Sequence, residues 1–116
     1  MQYMLLIYLD PSAGPDPQSP EGQAASAAWF TYTEAMREAG VHVAGEALQP
    51  IQTATTVRQR GGETLTVDGP FAETKEVLGG FYVLDVPDLD AALSWAQRAP
   101  NTSYGSVEVR PVMVFA

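Results

Sequence analysis

The chain has 116 residues, 46% of them hydrophobic, which suits one domain spanning 1–116 that buries roughly two-thirds of the surface its unfolded form exposes. Fourteen Asp and Glu against six Lys and Arg give a formal net charge of −8 at pH 7, which repels phosphate backbones and anionic lipid, so neither nucleic acid nor a membrane is an expected partner. With no cysteine the chain has no disulfide framework, thiolate nucleophile or thiolate metal site, and a reducing cytoplasm suits it.

Met1 to Leu9 is apolar but short, lacks a basic flank and is stopped by Asp10-Pro11, so it reads as a first strand rather than a membrane span or signal peptide. Its alternating sets, Tyr3, Leu5, Ile7, Leu9 and Met4, Leu6, Tyr8, are both apolar, so both faces of that strand need cover. Asp10 to Pro20 is a Pro- and Ser-rich loop. Ser19 as N-cap, Pro20 and Glu21 then open a helix that ends at Gly40. Ala25, Ala28, Trp29, Tyr32, Met36 and Ala39 share one stripe at helical spacing, and Phe30 stands away from it.

Val41 to Leu48 reads as a strand. Thr53 to Arg60 and Glu63 to Val67 are β-branched runs joined by Gly61-Gly62, a two-residue hairpin signal. Gly80 to Val86 is again apolar on both faces. Asp88 caps a second helix, with Leu89, Ala92, Leu93 and Ala96 inward and Pro100 as its stop, and Ser106 to Phe115 supplies the last strand. The order β-α-β, hairpin, β-α-β implies an α+β, ferredoxin-like split βαβ fold with an added hairpin. Two helices cover one face of such a sheet. The other face stays apolar in the first and fifth strands, so a second copy is expected to cover it, giving a homodimer.

The most informative run is Asp68-Gly69-Pro70-Phe71-Ala72-Glu73-Thr74-Lys75-Glu76, followed by Leu78-Gly79-Gly80-Phe81-Tyr82-Val83-Leu84. Asp-Gly-Pro fixes a tight turn, because Asp bonds its own main chain, Gly accepts positive φ and Pro holds φ near about −65°. Asp68, Glu73 and Lys75 are therefore candidate acid, base or charge-pairing groups, with Glu46 and Arg58 as ligand-binding candidates if the hairpin folds alongside. Phe71 and Tyr82 are candidate apolar lining. The bland alternative is as physical: Asp68 caps its turn, and Lys75 pairs with Glu73 or Glu76 on the surface for under about 1 kcal/mol.

This run resembles the signature of the DGPF family, a branch of the YciI-like (YCII-related) proteins, and the likeness extends along nearly the whole chain. The resemblance implies a dimeric α+β barrel. It also implies either a cofactor-free lyase or isomerase acting on a small organic metabolite, or an accessory module linked to extracytoplasmic-function sigma factors. A His–Asp pair with the histidine early in the first helix is implied too, yet Gln23 to Trp29 contains no histidine. The one histidine, His42, lies in a strand pattern between Val41 and Val43, where a packed or edge side chain is the commoner role. One His and no Cys leave little for a metal, and Ser26 or Thr74 lacks a base for a hydrolase triad. Gly79-Gly80 runs into a strand rather than a helix, which points to a bulge or a close backbone approach instead of a phosphate loop.

Overall fold

A computed structural model describes residues 1–115. Strands β1 (Gln2–Leu9), β2 (His42–Ala47), β5 (Val77–Asp85) and β6 (Gly105–Pro111) form an antiparallel sheet in the order β2-β5-β1-β6. With helices α1 (Pro20–Glu38) and α2 (Leu89–Gln97) on one face, this is the split βαβ arrangement expected from the element order. Strands β3 (Thr55–Arg60) and β4 (Glu63–Asp68) form a separate hairpin inserted between β2 and β5. Gly61 and Gly62, at φ 59° and 82°, make its two-residue turn.

The helix ends follow their sequence signals. Ser19 Oγ accepts from the Gly22 amide at 3.0 Å, Pro20 follows, and Gly40 leaves α1 at φ 72°. Asp88 Oδ1 accepts from the Ala91 amide at 2.9 Å to start α2.

The core lies between the helices and the inner face of the sheet. Tyr3 and Leu5 of β1, Tyr32 and Met36 of α1, Leu84 of β5 and Ala92, Ala96 and Ala99 around α2 are buried together. Truncating Leu5, Met36 or Leu84 would cost about 2–5 kcal/mol in lost contacts and cavity. Burial pushes the Tyr32 hydroxyl far above the ordinary phenol range, and it donates to the Trp95 carbonyl at 2.6 Å.

Several expectations need correction. Leu89 and Leu93 are 46% and 38% exposed, because α2 turns its alanines toward the sheet, which lets it sit close and leaves no room for leucine. Ala28 of α1 and Ala39, its C-cap, are exposed as well. The fifth strand starts at Val77 rather than Gly80: Ile7 pairs with Gly80 and Tyr8 with Leu78, so Gly79 is the extra residue of a bulge in a ladder that runs on to Leu9. The last strand ends at Pro111, opposite Tyr3, where β1 is nearly exhausted. The added hairpin, as expected, is an insertion; it forms its own small sheet, which leaves Val57, Leu65 and Val67 exposed.

Candidate functional site

The sheet is hollowed at one place. On β2 and β5 the inner face carries Gly45, Gly79 and Gly80 where a core strand would carry side chains. A Cβ on Gly80 would stand 2.7 Å from the Glu46 carbonyl oxygen, and one on Gly45 would stand 2.8 Å from Cδ1 of Tyr82. Glycine is thus required there by close approach, and these positions project no side chain of their own into the space beside them. Helix α1 roofs this space with a second stripe, Ser26, Trp29, Phe30, Thr33 and Arg37, set at three- and four-residue steps beside the core stripe. The result is a cavity of about 640 Å³ between α1 and the β2–β5 edge, within the range of roughly 300–1,000 Å³ usual for small-molecule sites.

Its lining has an aromatic wall and a polar line. Tyr82 stacks on Trp29 with centroids 6.4 Å apart, and meets Tyr32 edge-on at 5.6 Å and His42 edge-on at 6.1 Å. Phe30, 69% exposed, stands at the mouth. Thr33 Oγ1 lies 2.7 Å from the Tyr82 hydroxyl and donates to the Trp29 carbonyl at 3.0 Å. Arg37 reaches the same cavity while pairing with Glu34 at 2.7 Å. His42 shares the inner face with Gly45 and Tyr82, since its cross-strand partner is the buried Leu84.

Of the candidate catalytic and ligand-binding residues read from the sequence, Tyr82 and Glu46 border this cavity. Glu46 pairs with Phe81 across the ladder, on the face turned away from the helices, so it borders the rim rather than the floor. Asp68 ends β4 opposite Thr55, exposed, and the turn behind it is held by Gly69, at φ 116°, whose amide donates to the Ala54 carbonyl at 2.7 Å. Phe71 is 76% exposed and lies 5.2 Å from the Arg58 guanidinium, which also donates to the Phe71 carbonyl at 3.3 Å. These five residues of the turn and hairpin, Arg58, Asp68, Phe71, Glu73 and Lys75, lie outside the cavity.

Lys75 edges a smaller cavity of about 370 Å³ with Asp10, Glu76 and Tyr104. Its ammonium stands 4.0 Å from Asp10, whose carboxylate accepts from the Ser12 amide at 2.9 Å and hydroxyl at 2.7 Å. Those Ser12 bonds, with a smaller contribution from Lys75, hold the Asp10 carboxyl below its ordinary pKa. Glu73 is exposed. Among the described residues no three His, Asp or Glu side chains converge on a possible metal position.

Sequence reasoning passed over Thr33 and Arg37 and set His42 aside. The signal was present in the stripe Ser26, Trp29, Phe30, Thr33, Arg37, which mixes aromatic and polar residues at helical spacing and explains why Phe30 stands off the core stripe.

A Rhizobium meliloti (strain 1021) protein described as uncharacterised is 50% identical over 70 residues, 59% of this chain and 56% of that protein. The matched part thus spans little more than half the length of that relative. Among solved structures, the 5-chloro-2-hydroxyhydroquinone dehydrochlorinase TftG of Burkholderia phenoliruptrix AC1100, in complex with 2,5-dihydroxybenzoquinone, superimposes with a TM-score of 0.57 at 15% identity. The superposition covers 97% of this chain and 94% of that one, a likeness of fold. The model of the YCII-related domain matches residues 1–116, and the chain belongs to that family.

Proposed function

We propose that this protein binds a small planar organic molecule in the cavity between α1 and the β2–β5 edge, with His42 as the acid–base group available to the bound molecule. The observation that carries this reading is the convergence of Trp29, Phe30, Thr33 and Arg37 from one helix with His42 and Tyr82 from two strands, over a floor of glycines. A flat aromatic wall favours a flat ligand, and an imidazole beside it is the side chain best suited to moving a proton. The hydroxyquinone held by the solved neighbour has this size and shape, which supports the reading.

The apolar outer face supports a homodimer. Met4, Leu6 and Tyr8 of β1 lie beside Phe81 and Val83 of β5 on the side the helices do not cover. A second copy would cover them, with Met113, Val114 and Phe115, exposed beyond β6, extending the contact.

The test is a thermal-shift screen of small planar metabolites on the wild type and on His42→Ala, Phe30→Ala and Glu73→Gln. A ligand at 100 times Kd stabilises by about 2.7 kcal/mol, a shift on the order of 10 °C for a domain of this size. His42→Ala and Phe30→Ala should reduce the shift while Glu73→Gln retains it. The reverse pattern would move the site to the Asp68 to Glu76 turn.

A second reading, a module that binds another protein, rests on the hairpin arm. Val57, Leu65, Val67 and Phe71 are exposed on it without cover from the rest of the chain.

A further inference from the structure

The direction of one hydrogen-bond chain restricts what the cavity accepts. Thr33 Oγ1 has a single proton and two oxygen neighbours, the Trp29 carbonyl at 3.0 Å and the Tyr82 hydroxyl at 2.7 Å. A carbonyl only accepts, so the Trp29 contact is a hydrogen bond only when threonine gives it the proton. The Thr33–Tyr82 contact then needs its proton from tyrosine. In the opposite arrangement two oxygens would face each other at 3.0 Å with no proton between them, and one hydrogen bond would be lost. Both contacts are satisfied in one direction only, from Tyr82 to Thr33 to Trp29.

The Tyr82 ring is also fixed in place, stacked on Trp29 and met edge-on by Tyr32 and His42. The Tyr32 hydroxyl is committed elsewhere, to the Trp95 carbonyl at 2.6 Å. Nothing in the cluster therefore turns the Tyr82 proton around.

We propose that Tyr82 presents the cavity with an oxygen that only accepts hydrogen bonds, so that the site selects planar ligands bearing an O–H or N–H group and discriminates against their O-methyl or N-methyl counterparts. Thr33 is the positioning residue that sets this polarity through its bond to the helix backbone. The inference rests on the reading of the cavity as a ligand site and adds the chemical class of ligand. A ligand lacking a donor at that point leaves the phenol oxygen desolvated and unpaired, and sites built around a hydrogen bond reject such analogues strongly.

The experiment is an NMR titration of the wild type, Tyr82→Phe and Thr33→Val with a panel of small planar rings, each as the phenol and as its methyl ether, for example resorcinol and its dimethyl ether. Chemical-shift maps of each variant confirm its fold, and Tyr82→Phe keeps the ring, so comparison with it cancels the added bulk of the methyl groups. The wild type should prefer phenols about tenfold relative to Tyr82→Phe. Thr33→Val removes the acceptor of the Tyr82 proton, so Tyr82 can then donate to an ether as well as accept from a phenol, and the preference for phenols should collapse. A threonine with a merely structural role would lower both affinities together. Rings that bind at His42 and Tyr82 with equal preference in all three proteins overturn the polarity and leave the site standing. If no ring of the panel shifts those residues, the site and the polarity fall together.

Discussion

Gly45→Ala tests the idea that the cavity exists because the inner face of β2 is bare. The added Cβ would lie 2.8 Å from Cδ1 and 3.2 Å from Cε1 of Tyr82, and 3.1 Å from the Phe81 carbonyl oxygen. The ring cannot yield easily, since Trp29, Tyr32 and His42 surround it and Thr33 holds its hydroxyl. Overpacking of this kind costs about 1–3 kcal/mol, and a ring forced aside adds the loss of the Thr33–Tyr82 bond, about 1 kcal/mol. Against this, replacing glycine with alanine at a backbone position without positive φ stabilises by about 0.4–1 kcal/mol through the unfolded state. The net expectation is a loss of about 1–3 kcal/mol in urea denaturation, compared at equal protein concentration so that any association is held fixed. Tyr82→Leu in the same chain should absorb part of the penalty, making the double variant less destabilised than the sum of the singles. A Gly45→Ala protein as stable as the wild type, or strict additivity with Tyr82→Leu, would refute the close-approach reasoning.

Two further outcomes are expected. Because the folded pKa of Asp10 is lowered, its charge contributes stability that is fully present above the ordinary value of 3.8 and is lost as pH falls below it. The difference in denaturation midpoint between wild type and Asp10→Asn should therefore be flat from about pH 7 to pH 5 and shrink below about pH 4; a difference that persists unchanged at pH 2 would contradict the Ser12 bonding. Leu6→Lys places a charge on the outer face directly opposite Glu108, which the folded monomer accepts as a cross-strand pair while a sheet-to-sheet dimer does not. Light scattering should show a folded monomer in place of a dimer, and a wild type already monomeric at micromolar concentration would remove the dimer proposal.

The fold was legible because its punctuation is local. Ser19 and Asp88 cap through their own side chains, Pro20, Gly40 and Gly61-Gly62 act through their backbone, and each stands at or next to an element boundary in the structure. What the sequence hid was register. A bulge at Gly79 moves the start of β5 back to Val77, and a second irregularity between His42 and Ala44 decides which side of β2 each residue shows. Without that shift His42 and Gly45, three residues apart, would face opposite sides of the sheet; with it they share the inner face. Nothing in the local pattern Val41-His42-Val43 announces the extra residue.

The same physics explains why the Asp68 to Glu76 run drew attention away from the cavity. Charged side chains are conspicuous in a sequence, but Glu73 and Lys75 stand on an exposed segment. The cavity depends on side chains that are missing, at Gly45, Gly79 and Gly80, and on a helix face whose polar residues a core stripe leaves over. Ser26, Thr33 and Arg37 are ordinary surface residues until the bare strand edge lies beneath them. Tyr82 joins the two, since the absence of a Cβ at Gly45 admits its ring and Thr33 orients its hydroxyl. Size at the floor and polarity at the wall thus depend on two small residues that stand outside the core formed by Leu5, Met36 and Leu84.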